Sequence, residues 1–194
     1  MTPAIQKAQR RAEARAVIAA LPSAVRREQA RRLTDGILAS PDWQAARRVL
    51  LFVPLPDEID LSGLIPAGLA AGKQVALPSF HPETGLYVAR EIRDATGDLV
   101  PGRFQIPEPG LHCRTLPVSE LDYLLVPGLA FDAAGGRLGR GKGFYDRLLS
   151  LATGRIWGVG FVEQVGPAVP AEPHDRRLHG MITADGARLS QHTN

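Results

Sequence analysis

Hydrophobic and polar positions follow two spacings along the chain, and each spacing predicts one kind of element. Residues 4–20 and 23–38 carry apolar side chains three or four positions apart, with Lys and Arg between them, which predicts two helices. Short apolar runs bounded by Gly or Pro predict strands. These runs lie at about 47–56, 73–80, 85–92, 121–131, 155–161 and 179–185, and further helices are predicted at about 61–71 and 144–152.

The alternation of strands with helical segments predicts the fold class. It is typical of α/β proteins with a largely parallel sheet. We expect a single domain over residues 1–194, a three-layer α/β/α sandwich with a largely parallel, mixed central sheet, similar to Rossmann folds. Residues 1–40 form its basic helical part and residues 122–150 a strand, a glycine-rich loop and a helix. Residues 94–118, dense in Gly and Pro, are predicted to be an ordered surface loop.

Composition and the single cysteine indicate the kind of protein and its cellular compartment. The chain has 44% hydrophobic and 22% charged residues, which is ordinary for a globular protein. No segment reaches 18 consecutive apolar residues, so no membrane-spanning helix is predicted. Cys113 is the single cysteine and has no partner for an internal disulfide. We therefore expect a reduced, cytoplasmic setting.

Charge is unevenly distributed along the chain. Residues 1–48 carry ten Lys or Arg against four Asp or Glu, a balance of +6, whereas the remaining residues carry 13 against 16, a balance of −3. A basic segment indicates either an anionic partner or a solvated helix face. Aromatic residues for base stacking are not interleaved with these arginines, which argues against an RNA-binding protein.

The segment GGRLGRGKGFYDR, residues 135–147, contains five glycines and four cations. The order strand, glycine-rich loop, helix is typical of phosphate-binding sites, because loop N–H groups and the helix N-terminus face the anion. The triphosphate-loop pattern G-x-x-x-x-G-K-[ST] fits Gly136, Gly141 and Lys142 but has Gly143 in place of the magnesium-binding hydroxyl. Asp146 is the nearest carboxylate for Mg²⁺. The alternative is a flexible surface turn.

Eight segments spread over nearly the whole chain carry a resemblance to one known family. They are KAQRR, DEID, ALPSF, IPEP, VPGLAFD, GRLGRGKGFYDR, GFVEQ and VPAEPHD, in this order along the sequence. In order and spacing they resemble the 5-formyltetrahydrofolate cyclo-ligase family. The resemblance implies an enzyme that uses Mg-ATP to convert 5-formyltetrahydrofolate into 5,10-methenyltetrahydrofolate, releasing ADP and phosphate. We also expect a monomer that binds small molecules rather than nucleic acid or membranes.

The reaction implied by this resemblance passes through a phosphorylated intermediate. The formyl oxygen takes the phosphoryl group from ATP, the N5-iminium phosphate is attacked by N10, and phosphate leaves. Phosphorylation converts a poor leaving group into a good one, and phosphoryl transfer depends mainly on positioning and charge neutralisation.

The resemblance also implies the ATP-binding residues. On the first helix they are Lys7 with either Arg10 or Arg11: the K-x-x-R spacing selects Arg10, whereas helical stacking at i and i+4 selects Arg11. In the glycine-rich segment they are Arg137, Leu138, Gly139, Arg140, Gly141, Lys142, Gly143, Phe144 and Tyr145. Within this set, Arg140, Lys142 and Tyr145 are the predicted catalytic residues.

Folate-binding and metal-binding residues are implied in the same way. The folate contacts are Leu55, Glu58, Phe104, Arg140, Gly141, Lys142, Gly143 and Phe144, and the Mg²⁺ ligands are Asp146 and Asp175. Without the resemblance, Asp175 reads as a surface acid paired with a neighbouring arginine. Phe144 stands where the family commonly has tyrosine, at an expected cost of about 1 kcal/mol for one lost hydrogen bond.

Two other functions stay open from the sequence. One is a paralogue that binds nucleotide but acts on a different substrate. The other is an RNA-binding protein that uses the arginines of the two N-terminal helices. Intact Glu58, Asp146 and Asp175 argue against the first, and the acidic balance of the remaining chain argues against the second.

Overall fold

The computed structural model describes residues 3–102, 105–170, 172 and 175–190. The helices are α1 Pro3–Ala20, α2 Ser23–Ala39, α3 Pro41–Ala45, α4 Leu64–Ala70 and α5 Phe144–Leu148. The strands are β1 Arg48–Leu50, β2 Gln74–His81, β3 Leu86–Ile92, β4 Leu99–Pro101, β5 Pro107–Pro109, β6 Thr115–Leu116, β7 Tyr123–Pro127, β8 Ala130–Phe131, β9 Arg137–Leu138, β10 Arg155–Val159, β11 Gly180–Thr183 and β12 Gly186–Leu189. Short 3₁₀ helices cover Val118–Glu120, Leu149–Leu151 and Val162–Gln164.

The described residues form an eight-stranded sheet in the order β12-β11-β10-β7-β1-β2-β3-β6. The five inner strands run parallel, whereas β12, β3 and β6 join antiparallel at the edges. The predicted α/β class with a largely parallel, mixed sheet is therefore confirmed.

Helical segments cover both faces of this sheet. Successive side chains of a strand point to opposite faces, so Tyr123 and Leu125 of β7 pack with the core beneath α1, α2 and α4. Leu124 and Val126 pack on the other face with Leu148 of α5. All five residues of β7 are buried, which explains its continuous apolar sequence.

Some predicted strands have different bounds in the structure. The run at 47–56 contributes only Arg48–Leu50 to the sheet, because Pro54 and Pro56 lack the N–H group that a strand ladder needs. The run at 179–185 is not the last strand, since β12 follows it after a tight turn. The segment 94–118 is a loop that contains three short strands, β4, β5 and β6.

The glycine-rich segment differs most from its prediction. Gly135 and Gly136 lie in the turn of the β8–β9 hairpin, and Gly135 has φ 73°, a conformation that favours glycine. The loop before α5 is therefore residues 139–143, which follow β9. The match of Gly136 to the triphosphate-loop pattern is wrong, because Gly136 and Gly141 belong to different turns.

Asp132 fixes this hairpin turn to a distant segment. Its Oδ1 accepts hydrogen bonds from the N–H groups of Ala134 at 2.8 Å and Gly136 at 2.7 Å. Its Oδ2 accepts one from Val169 at 2.7 Å, and the side chain is buried. One carboxylate thus holds the β8–β9 turn against the segment that leads to Asp175.

No helix in the described ranges is both long and apolar enough to cross a membrane.

We expect Asp132→Ala to lower the free energy of unfolding by about 3 kcal/mol, since three N–H donors, two of them on buried residues, lose a charged acceptor. Urea unfolding followed by circular dichroism measures this loss. The matched control is Asp35→Ala, which removes an exposed, solvent-screened ion pair with Arg31 and should change stability far less. Equal losses in the two variants would contradict the assigned role of Asp132.

Candidate active site

A cavity of about 390 Å³ opens at the carboxyl ends of β1 and β7. Phe52 and Val53 after β1, Pro127 at the end of β7 and Gly128 after it lie in the cavity wall. The chain leaves β1 toward β2 on one side and later places β7 on the other, so the strand order reverses at this point. Crevices at such reversals are the usual ligand sites of open α/β sheets.

Most of the predicted site residues line this cavity. Those that do are Leu55, Glu58, Arg137, Gly139, Arg140, Lys142, Gly143, Phe144, Tyr145 and Asp146. Leu138 is instead buried in the core, and Gly141 faces α1. Phe104 lies outside the described residues. The structure thus brings predicted nucleotide and folate residues around one space.

The loop at residues 139–143 has the backbone freedom that its glycines predict. Gly141 has φ 95° and Gly143 has φ 63°, both in the left-handed region. In the part of the chain that the structure describes, the N–H groups of residues 140–143 donate to no protein acceptor. The expected helix dipole contributes little, because α5 has only five residues. An anion at this loop would contact free N–H groups and side-chain cations rather than a strong helix dipole.

Arg140 joins the glycine loop to the DEID turn. Its Nε donates to Glu58 Oε1 at 3.1 Å, and its Nη1 donates to Asp57 Oδ2 at 3.0 Å. A second bond, from Nη2 to the other oxygen of Asp57, makes this pair bidentate. The guanidinium therefore has a fixed orientation at the edge of the cavity.

Glu58 is a buried carboxylate that faces the cavity. Burial raises the pKa of Glu58, while hydrogen bonds from the Leu55 N–H, at 3.0 Å, and from Arg140 oppose that increase. A carboxylate oxygen accepts more than one hydrogen bond, so Glu58 keeps capacity for a ligand.

Aromatic side chains form the opposite wall. The ring of Phe144 lies 4.8 Å from that of Tyr87, centroid to centroid, and Tyr87 donates a hydrogen bond to Glu108 at 3.1 Å. The Arg137 guanidinium lies 5.4 Å from the Tyr145 ring centroid. Burial raises the pKa of Tyr145, and the nearby Glu58 charge acts in the same direction. The Tyr145 phenol therefore stays protonated at neutral pH and is a hydrogen-bond donor.

Helix α1 lies beside the glycine loop and distinguishes Arg10 from Arg11. Arg11 Nε donates to the Gly139 carbonyl at 3.0 Å, whereas Arg10 pairs with Glu13 along the helix at 3.2 Å. Helical stacking at i and i+4 thus identified the arginine that reaches the loop. Lys7, one turn earlier, is buried and does not line the cavity.

The two predicted metal ligands lie in different ion pairs. Asp146 accepts a hydrogen bond from Arg137 Nη2 at 2.7 Å and lines the cavity. Asp175 accepts bonds from Lys7 Nζ at 2.7 Å and from the Glu172 N–H at 2.8 Å. Carboxylate oxygens suit Mg²⁺, so the donor chemistry fits this ion at both places.

Sequence reasoning missed the polar side chains of Arg15, Tyr87 and Glu108, which line the cavity. It also missed Asp57, which holds Arg140 at the edge of the cavity. Asp57 adjoins Glu58 in the DEID turn, and Arg15 follows Arg11 by one helical turn, so both could have been found from spacing. Tyr87 of β3 carries no local signal, because only the sheet brings it to the cavity. Glu108 of β5 lies in the IPEP segment, but the resemblance gave it no role.

Comparison with known proteins gives one consistent family. A model of the 5-formyltetrahydrofolate cyclo-ligase family matches residues 4–184. A 5-formyltetrahydrofolate cyclo-ligase of Escherichia coli (strain K12) is 33% identical over 168 residues, covering 84% of this chain and 92% of the relative. That of Mus musculus is 28% identical and covers 90% and 92%. The solved 5,10-methenyltetrahydrofolate synthetase of Aquifex aeolicus has a TM-score of 0.86 at 28% identity, covering 97% and 94%.

Glu58→Gln tests how much the buried charge of Glu58 lowers the stability of the folded protein. Because the folded-state pKa of Glu58 is raised, the folded chain holds this proton more tightly than the unfolded chain. The ionised side chain therefore lowers stability above that pKa, and its cost vanishes below the ordinary value of 4.5. We expect Glu58→Gln to melt at a higher temperature than the wild type at pH 8 and at the same temperature at pH 4.

Thermal unfolding across this pH range measures the difference, with the exposed Glu120→Gln as the matched control. A Glu58→Gln protein that is less stable than the wild type at pH 8 would contradict the prediction. It would mean that the hydrogen bonds from Leu55 and Arg140 outweigh burial.

Proposed function

The chain belongs to the 5-formyltetrahydrofolate cyclo-ligase family of enzymes, and we propose that it converts 5-formyltetrahydrofolate into 5,10-methenyltetrahydrofolate with Mg²⁺ and ATP. One observation carries the proposal: a single cavity holds the carboxylate of Glu58, whose side chain is only 9% exposed, next to a basic glycine loop, residues 139–143. The first suits the N–H edge of a pterin ring, and the second suits phosphate.

Folate would bind against Glu58 and the aromatic wall. A pterin ring is flat, with an edge of N–H donors that a carboxylate accepts in pairs. Leu55 and the packed rings of Phe144 and Tyr87 supply apolar surface for its faces. Asp57 holds Arg140 in place, so Arg140 need not move for Glu58 to accept further bonds.

ATP would place its phosphates on the glycine loop. The N–H groups of residues 140–143 have no protein acceptor within the described ranges, and they lie beside Arg11 and Arg137. In the same part of the chain, Lys142 has no ion-pair partner, and it lines the cavity. A cation free of carboxylates is available for a phosphoryl group in transfer.

The reaction then needs little covalent chemistry from the protein. The formyl oxygen attacks the γ-phosphorus, ADP leaves, and the N5-iminium phosphate forms. N10 attacks the formyl carbon, loses its proton to solvent, and phosphate leaves with the former formyl oxygen. Arg140 and Lys142 neutralise charge on the transferred group, and the protonated Tyr145 phenol donates a hydrogen bond in the cavity.

Mg²⁺ would be held by Asp146 at the cavity, with Asp175 as the second carboxylate. When bound, the ion neutralises charge on the phosphate oxygens. Arg137 balances the Asp146 charge at 2.7 Å, and Lys7 balances Asp175 at 2.7 Å. These ion pairs hold both carboxylates in fixed orientations.

The structure bears differently on the two alternative functions, an RNA-binding protein and a paralogue with another substrate. Several N-terminal arginines that an RNA-binding protein would use already pair with acids of this chain: Arg10 with Glu13, Arg31 with Glu28 and Asp35, and Arg32 with Asp185. Such pairing lowers the positive field that RNA binding requires. The paralogue with another substrate shares the fold and is separated from our proposal by the assay below.

The test mixes the purified protein with 5-formyltetrahydrofolate, Mg²⁺ and ATP and follows the near-ultraviolet absorbance of methenyltetrahydrofolate. We expect a rise that requires both ATP and the metal. Tight ATP binding without any rise would contradict the proposal and favour the paralogue.

Lys142→Met tests the charge of the loop. Losing a cation that acts on the transition state should lower kcat about 100-fold. The free energy of unfolding should stay unchanged, because Lys142 is exposed and unpaired in the described part of the chain. Initial rates and urea unfolding measure the two quantities.

The matched control is Arg155→Gln, an exposed cation outside the cavity, which should leave kcat unchanged. A kcat for Lys142→Met close to that of the wild type would refute its catalytic role.

A further inference from the structure

A second group of ligand-type side chains lies away from the candidate active site, at the open end of the β4–β5 hairpin. Asp98 precedes β4, and His112 and Cys113 follow β5. One ligand atom from each of the three lies within 4.8 Å of the other two. In the described part of the chain this is the one group of three or more His, Cys, Asp or Glu side chains arranged in this way.

The backbone fixes these residues before any ion binds. Gly110 donates its N–H to the Asp98 carbonyl at 2.9 Å, and Cys113 donates its own to Gly110 at 3.0 Å. This turn brings His112 and Cys113 back to Asp98. The buried Arg90 donates to the Cys113 carbonyl at 2.7 Å and holds the turn against β3.

The Asp98 carboxylate is oriented like a metal ligand with outer-shell support. Its Oδ2 accepts hydrogen bonds from the N–H groups of Arg93 at 2.6 Å and Asp94 at 2.9 Å. This leaves Oδ1 facing His112 Nε2 at 3.2 Å. Hydrogen bonds to the second oxygen are the usual means by which proteins aim a ligating carboxylate.

The distances suit a small tetrahedral ion. Zn²⁺ ligands at about 2.0–2.3 Å from the metal are about 3.3–3.8 Å from one another. The observed 3.2 Å between Asp98 and His112 and the upper limit of 4.8 Å require only small side-chain rotations. The Cys113 thiol, now donating to the Asp98 carbonyl at 3.8 Å, would lose its proton to solvent on binding.

We propose that Asp98, His112 and Cys113 form a binding site for a borderline divalent cation of the Zn²⁺ or Co²⁺ type. Thiolate and imidazole ligands select these ions over Mg²⁺, so the site is separate from the metal of the proposed reaction. The ion would fasten the two ends of the β4–β5 hairpin together. Pro107 and Glu108 of that hairpin lie in the wall of the cavity, so the site braces one wall of the candidate active site.

Co²⁺ is the probe for this site, because a cobalt–thiolate bond gives a charge-transfer band in the near ultraviolet. The metal-free protein without an affinity tag is titrated with Co²⁺, and Zn²⁺ is then added. We expect a thiolate band that saturates at one ion per chain, disappears when Zn²⁺ displaces Co²⁺, and is unchanged by excess Mg²⁺.

Substitutions in the cluster test whether Asp98, His112 and Cys113 hold the ion. His112→Gln changes an exposed side chain and should weaken Co²⁺ binding more than ~10-fold without affecting folding. Cys113→Ser should remove the thiolate band. Glu83→Gln changes an exposed acid in the turn between β2 and β3, outside the cluster, and is the matched control that should bind like the wild type.

Two results would overturn the proposal. One is the absence of a thiolate band at saturating Co²⁺, which would leave an Asp98–His112 contact beside a buried thiol. The other is an unchanged band and affinity in His112→Gln, which would place the ion elsewhere. Because His112 is exposed, this second test holds even if Cys113→Ser does not fold.

Discussion

The contact of the Arg140 guanidinium with the DEID turn is the interaction on which the candidate site depends. Arg140 belongs to the glycine loop, whereas Asp57 and Glu58 follow β1, more than 80 residues earlier. Three hydrogen bonds from one rigid side chain fix the distance between these two segments. The two segments therefore keep a fixed separation across the cavity. A ligand bound to Glu58 would lie next to a ligand bound to the loop.

In this position, ligand binding and burial have opposite effects on the protonation of Glu58. A ligating carboxylate must be ionised, yet burial in the cavity wall raises its pKa. Hydrogen bonds from the Leu55 N–H and from Arg140 partly offset this increase in the pKa of Glu58. Arg140 also forms a bidentate pair with Asp57, so its charge does not fully neutralise Glu58. Perturbed carboxylates of this kind concentrate at functional sites, because binding chemistry there outweighs local stability.

The sequence allowed the parts of the fold with strong local patterns to be predicted. The apolar run of β7 and the helical spacing of α1 and α2 were clear, and the parallel sheet followed from their order. The β8–β9 hairpin was missed because Gly135 and Gly136 fit a turn and a phosphate loop equally well. The distinction came from Asp132, whose hydrogen bond from the Val169 N–H is a tertiary contact. Tyr87 was missed for the same reason, because only the sheet brings it to the cavity.

Because Arg140 joins the DEID turn to the glycine loop, we expect it to couple the two proposed binding regions of the cavity. Isothermal titration with 5-formyltetrahydrofolate, with and without Mg²⁺ and a non-hydrolysable ATP analogue, measures this coupling in the wild type and in Arg140→Met. The nucleotide should change the folate affinity of the wild type about 5-fold or more, and this coupling should be lost in Arg140→Met. Equal folate affinity with and without nucleotide in the wild type, or undiminished coupling in Arg140→Met, would contradict it.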